Sequence, residues 1–160
     1  MLRCPPCFRS MRAALAGAVA ALALAGAALP ARADDAGLCV DAFGGLPGVD
    51  PAYYAPRFGY EKSDANNVRA LLEQMAGVDN RRAAMVSTLV AVRGPQDPEP
   101  LIAVGRVSGE ITREPRGAGG FGFAPVMLRP AFGKTFAELP AEVKNAHSHR
   151  GRATAQMLEL

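Results

Sequence analysis

"AAMVSTLVAVRGPQDPEPLIAVGRVSGEIT", residues 83–112, decides the fold. Val86, Thr88, Val90 and Val92 fall on alternate positions, the period of a half-buried strand. The segment 93–100, "RGPQDPEP", turns the chain, and "LIAVGRVSGEIT" (101–112) returns as an antiparallel neighbour. Working outward, "GLCVDAF" (37–43) reads as a short strand, and 44–63 is too rich in Gly and Pro for regular structure. Residues 64–77, "DANNVRALLEQMAG", put Val68, Leu71, Leu72 and Met75 on one helical stripe, with Ser63 as cap and Gly77 as a left-handed stop. On the far side of the hairpin, "VML" (126–128) predicts another strand. Thr135 and Glu138 have capping-box spacing, with Pro140 tolerated in the first turn of a helix there. Ser148 caps a final helix with Ala153, Met157 and Leu160 on one face. The pattern predicts one α/β domain with a mixed central sheet and flanking helices.

Composition narrows the partners. The 160 residues are 49% hydrophobic, enough for one core, and carry a formal charge of +3. That excess is local: residues 1–33 hold Arg3, Arg9, Arg12 and Arg32 and no acid, leaving 14 basic and 15 acidic residues in 34–160. A nucleic-acid polymer therefore has little electrostatic support. Residues 1–33 have the look of a leader, with a basic start, an apolar run from 13 to 29 and the small-residue site Ala31-Arg32-Ala33. Such a run is short and Ala-rich for a membrane helix, so stable membrane insertion is not expected. Cys4 and Cys7 form a C-x-x-C without a thioredoxin-like strand before it, and Cys39 reads as a small buried apolar residue.

Three segments carry candidate chemistry. "ADDAGLCVD" (33–41) opens with Asp34 and Asp35, a carboxylate pair that suits Mg²⁺, a cation that takes few protein ligands and keeps sites for phosphate. One acid of the pair can also act as a base for water. An exposed acidic loop has the same pattern. "RGAGGFGFAP" (116–125) contains Gly117, Gly119 and Gly122 in G-x-G-x-x-G spacing, but Pro125 and Pro130 forbid the helix a dinucleotide fingerprint requires. "EVKNAHSHRGRA" (142–153) sets His149 and Arg150 in the first turn of the final helix, where unpaired N–H groups and the dipole already favour an anion or acceptor. An ordinary capped surface helix fits that spacing equally. His147 and His149 make an H-x-H, yet no further His or Cys completes a zinc set.

Taken together, "LPARADDAGLCVDAFGGLPGV", "NNVRALLEQM", "GEITREPRGAGGFGF", "GKTFAELPAEVKN" and "SHRGRA" resemble the inosine/xanthosine triphosphate pyrophosphatases, in order and from about Leu29 to the end. The resemblance implies hydrolysis of deaminated purine nucleoside triphosphates (ITP, dITP, XTP) to the monophosphate and pyrophosphate. It implies Phe121 as the platform on which the purine stacks, within a Phe121-Gly122-Phe123-Ala124 segment that borders the base. His149 and Arg150 would donate to the oxo group, Lys144 would add a positive contact, and Ala36 would lie beside the substrate. Asp35 would be the proton acceptor and a Mg²⁺ ligand, with Asp34 in support. A homodimer and a cytoplasmic location are expected with it.

The chain departs from the family pattern in particular places. The family's first strand, its Ser/Thr-x-Asn-x-x-Lys loop and its polar first helix have no counterpart, and Ala14, Leu15 and Val19 stand at polar positions of that helix. Ala36 replaces a usual serine, and Ala124 takes the aspartate position of Phe-Gly-aromatic-Asp-Pro. The expected organisation is an apolar leader over 1–33, signal-like or degenerate, and a pyrophosphatase domain over 34–160 with reduced turnover. The alternative is a non-catalytic, nucleotide- or partner-binding remnant, exported if the leader acts as a signal.

Overall fold

The computed structural model describes residues 31–160, with side chains from Asp35 onward. The apolar run, the Cys4–Cys7 pair and the segment matching the family's first helix lie outside the described residues.

The α/β class expected from the pattern holds, with helices flanking a six-stranded sheet, but that sheet is not mixed among the described residues: every ladder within it is antiparallel. Its strands are β1 (Ala31–Val40), β2 (Pro47–Gly48), β3 (Arg82–Val92), β4 (Leu101–Ile111), β5 (Met127–Arg129) and β6 (Lys134–Thr135), in the order β2-β1-β3-β4-β5-β6. The hairpin predicted from alternation is β3–β4, paired from Arg82–Glu110 to Ala91–Leu101. β1 is longer than the short strand expected at 37–43, because it pairs along β3 from Ala31 opposite Val92 to Val40 opposite Ala83. Asp41–Phe43, included in that expected strand, instead form a 3-10 turn closed by Gly44 in the left-handed region. The Gly/Pro-rich segment holds β2 and two further short 3-10 turns, at Pro51–Tyr53 and Ala55–Phe58.

Helix α1 (Asp64–Gln74) forms where the stripe predicted it, and Ser63 Oγ accepts from Asn66 N at 3.1 Å. Val68, Leu71 and Met75 are buried against Leu38, Val40, Val107 and Ile111 in the main core. Buried Asn67 ties the preceding loop to this helix: its Oδ1 accepts from Ala55 N at 2.8 Å and its Nδ2 donates to Ala52 O at 3.2 Å. Removing that side chain would leave a buried backbone N–H without its partner, at a cost of about 1–3 kcal/mol.

The Thr135–Glu138 pair does not start a helix. Thr135 ends β6, Glu138 Oε2 accepts from Thr135 N at 2.7 Å, and the helix α2 (Ala141–His147) begins only after Pro140. Proline there disfavours helical geometry in the residue before it, so the capping contact closes a turn instead. Helix α3 (His149–Glu159) does start at Ser148, whose Oγ accepts from Gly151 N at 2.9 Å. Ala153 is fully buried on it, while Leu160, expected on the same face, lies beyond the helix and is exposed.

A row of small residues decides how near α3 sits. Ala36, Ser87 and Gly105 are register partners across β1, β3 and β4, and cross-strand partners share a face. A Cβ on Gly105 would overlap His149 O, so only glycine admits the start of α3 at this distance. Along β4, three outward backbone groups beyond its short pairing with β5 are met by side chains. Gln156 Oε1 accepts from Val104 N at 2.8 Å, Arg152 Nη1 donates to Arg106 O at 3.0 Å, and Arg129 Nη1 donates to Ser108 O.

Candidate active site

A cleft of about 500 Å³ opens between the β1–β3 surface, the glycine-rich segment and the α2–α3 corner. That volume lies in the range of small-molecule sites. Its floor is Ala36, Leu38 and Met85 from the sheet. One wall is the loop 120–124, and the other is Lys144, His149 and Arg150. All eight residues expected to touch substrate therefore line one cavity: Ala36, Phe121, Gly122, Phe123, Ala124, Lys144, His149 and Arg150.

The loop wall explains its glycines. Gly117 has φ +82° and its missing Cβ would stand 2.6 Å from the Ala137 carbonyl carbon, so the loop lies directly on the 136–138 backbone. Gly119 N donates to Ala137 O at 3.1 Å, and Arg116 N donates to Pro125 O at 2.8 Å, closing the base of the loop. At its tip Gly122 takes φ +60° and separates two phenylalanines with opposite fates. Phe121 is 68% exposed; Phe123 is 4% exposed and packs edge-on to Tyr54 with ring centroids 6.5 Å apart.

The helix wall supplies positive charge. Arg150 places its guanidinium carbon 5.1 Å from the Phe121 ring centroid, a cation–π contact that bridges the two walls. His149 and Arg150 occupy the first turn of the Ser148-capped helix, where the macrodipole adds partial positive charge. Lys144 approaches from α2, its Nζ 3.6 Å from where a Gly120 Cβ would stand. Two acids face the same space, Asp50 and Asp64.

The acid pair lies differently. Asp35 is opposite Thr88 and Asp34 opposite Leu89 in the β1–β3 ladder, and Asp35 does not belong to the cleft lining. Strand alternation turns Asp35 to the opposite side from its neighbour Ala36. No group of three or more His, Cys, Asp or Glu side chains gathers among the described residues. The donor set is thus no cage for a structural metal, but it remains compatible with Mg²⁺, which needs one or two carboxylates when phosphate oxygens and water supply the rest.

Sequence reasoning missed Asp64. Its Oδ2 accepts from Gly122 N at 2.7 Å across 58 residues of chain, and an acid in the first turn of a helix is ordinarily read as dipole compensation. It also missed the wall segment Val49–Tyr53, held by Asn67 on α1, for which breaker composition gave no direction.

Fold and cleft define an α/β domain whose cleft sets an exposed aromatic ring, Phe121, beside the cationic side chains of Lys144 and Arg150. The chain belongs to the Ham1 family, whose model matches residues 10–160. It is 78% identical over 143 residues to the dITP/XTP pyrophosphatase of Acidovorax sp. (strain JS42), covering 89% of this chain and 70% of that protein. To the dITP/XTP pyrophosphatase of Paracidovorax citrulli (strain AAC00-1) it is 82% identical over 132 residues, covering 82% and 66%. A solved HAM1 protein from Coxiella burnetii superposes with a TM-score of 0.78 at 40% identity, covering 88% of this chain and 70% of that one. The Ham1 protein of Staphylococcus aureus gives a TM-score of 0.77 at 37% identity, with 88% and 71% coverage.

Proposed function

We propose that the chain hydrolyses deaminated purine nucleoside triphosphates (ITP, dITP and XTP) to the nucleoside monophosphate and pyrophosphate. The observation that carries this reading is the Phe121–Arg150 pair at 5.1 Å inside a cleft that also presents Lys144 and His149. Phe121 offers an exposed ring for the purine, a contact that supplies affinity without choosing the base. His149 and Arg150 donate to the oxo group of hypoxanthine or xanthine. The amino group of adenine leaves such a donor unpaired, at about 1–3 kcal/mol, which turns selection against ATP into an energy difference. Ala124 brings no acceptor to the base edge, so in this chain selectivity rests on the donors of α3.

Asp35 is the residue we assign as proton acceptor and Mg²⁺ ligand, with Asp34 in support. What supports it is the match of Asp34-Asp35 to the family's acid pair; on β1 its side chain turns to the face opposite the Ala36 floor, so it would meet the triphosphate beyond that floor and not inside the cleft. When bound, Mg²⁺ neutralises the phosphates and polarises the reacting centre. Asp35 takes a proton from water as the water oxygen bonds to the α-phosphorus. The bond from that phosphorus to the bridging oxygen breaks, and pyrophosphate leaves with the electron pair. Lys144 balances charge on the nucleotide.

We further place the protein in the cytoplasm, where its nucleotides are made, as a homodimer. Ile102 and Val104 form an exposed apolar pair on one face of β4 that supports a partner surface, and sedimentation velocity decides the oligomeric state. No helix among the described residues is long and apolar enough to cross a membrane. Pyrophosphate release from ITP and from ATP, with Mg²⁺ present, tests the activity. Preference for ITP is expected, and equal rates would remove the base-reading role of α3.

A further inference from the structure

Asp64 is an exposed acid at the start of α1, and its carboxylate reaches a loop 58 residues away. Gly122 N donates to its Oδ2 at 2.7 Å. The base of that loop is fixed by the Arg116–Pro125 and Gly119–Ala137 bonds, and its tip turns back on itself through Ala124 N donating to Phe121 O at 3.3 Å. Nothing lies within 4 Å of where a Gly122 Cβ would stand, so the left-handed turn there is not held by packing. Phe121 itself is largely in solvent. The peptide that joins Phe121 to Gly122 sets the direction of the ring, and Asp64 is the group outside the loop that holds this peptide. Helix capping does not require Asp64, because Ser63 performs it.

Resting on the function proposed above, we infer that Asp64 is a positioning residue for the purine platform: it orients the 121–122 peptide so that the Phe121 ring is presented to the base before ligand arrives. Preorganisation of this kind lowers the ordering cost of binding. The role needs an acceptor oxygen at this point and not a negative charge.

Two substitutions separate those requirements. Asp64→Ala removes acceptor and charge, whereas Asp64→Asn keeps an acceptor oxygen and loses the charge. Calorimetry with ITP and Mg²⁺ is expected to show about tenfold weaker binding for Asp64→Ala, with a thermal midpoint equal to that of Asp64→Asn and the Gly122 amide exchanging faster in hydrogen-exchange NMR. Asp64→Asn is expected to recover most of both. Unchanged affinity and unchanged Gly122 exchange in Asp64→Ala overturn the inference. Equal impairment of the two variants overturns it as well, since loss of charge at the helix N-terminus would then be the cause. If the unsubstituted chain fails to bind ITP while its Gly122 amide stays protected, the proposed function falls, and the contact stands without the role assigned to it.

Discussion

The two walls of the cleft are held in opposite ways. The helix wall rests on backbone closeness: α3 lies against Gly105 so tightly that no side chain fits between, and His149 and Arg150 follow wherever that helix goes. The loop wall rests on one buried ring, Phe123, and a few hydrogen bonds, and its other ring, Phe121, points outward. Damage to the first should therefore remove fold and function together, whereas damage to the second can separate them.

The largest effect is expected from Gly105→Val. The new side chain overlaps His149 O, and relief requires α3 to lift from the sheet. A loss of about 3 kcal/mol or more should appear in urea unfolding, together with loss of ITP hydrolysis. A variant with native stability would show that α3 is not packed as described. Next comes Phe123→Ala, which empties part of the core under the loop and should cost about 3–5 kcal/mol. Phe121→Ala, two residues away, should leave urea unfolding within about 0.5 kcal/mol. It should weaken ITP and ATP binding alike by about 1–3 kcal/mol, because a ring stacks on either base. Arg150→Leu sharpens the contrast from the other wall: the ratio of ITP to ATP turnover should fall several-fold, which a competition assay measures.

The smallest effect concerns pH. The Thr135 backbone N–H, donating to Glu138, holds that carboxyl below its ordinary value of 4.5. A depressed carboxyl contributes stability that is present above the ordinary value and is lost as pH falls through the folded one. Thermal midpoints measured from neutral pH downward should therefore decline below about pH 4.5, slightly less steeply in Glu138→Gln. Identical acid limbs would show that this turn contributes nothing measurable.

Local chemistry was legible in the chain, and long-range chemistry was not. Alternation at Val86, Thr88, Val90 and Val92 identifies β3, and Ser63 with its apolar stripe identifies α1, because both signals lie within one element. The start of β1 at Ala31 carried no such signal, since Arg32, Asp34 and Asp35 give no apolar alternation; their strand is made by backbone pairing to β3. The Thr135–Glu138 contact was readable as a bond but not as a helix start, because Pro140 delays the helix to Ala141. At the site, Ser148 places His149 and Arg150, and the glycines announce an unusual loop. That Arg150 would meet Phe121, or Asp64 would meet Gly122, depends on how α3 and α1 pack, which spacing does not encode.

The covering of β4 has a further consequence. A strand edge with unmet amide and carbonyl groups templates the addition of foreign strands. Here Gln156, Arg152 and Arg129 occupy three of those groups, Val104 N, Arg106 O and Ser108 O, two of the side chains coming from the helix that also carries His149 and Arg150. Detaching that helix, by heat or by Gly105→Val, would uncover backbone groups beside the apolar Ile102 and Val104 and open that border to strand addition. One helix thus both lines the cleft and shields part of a strand edge.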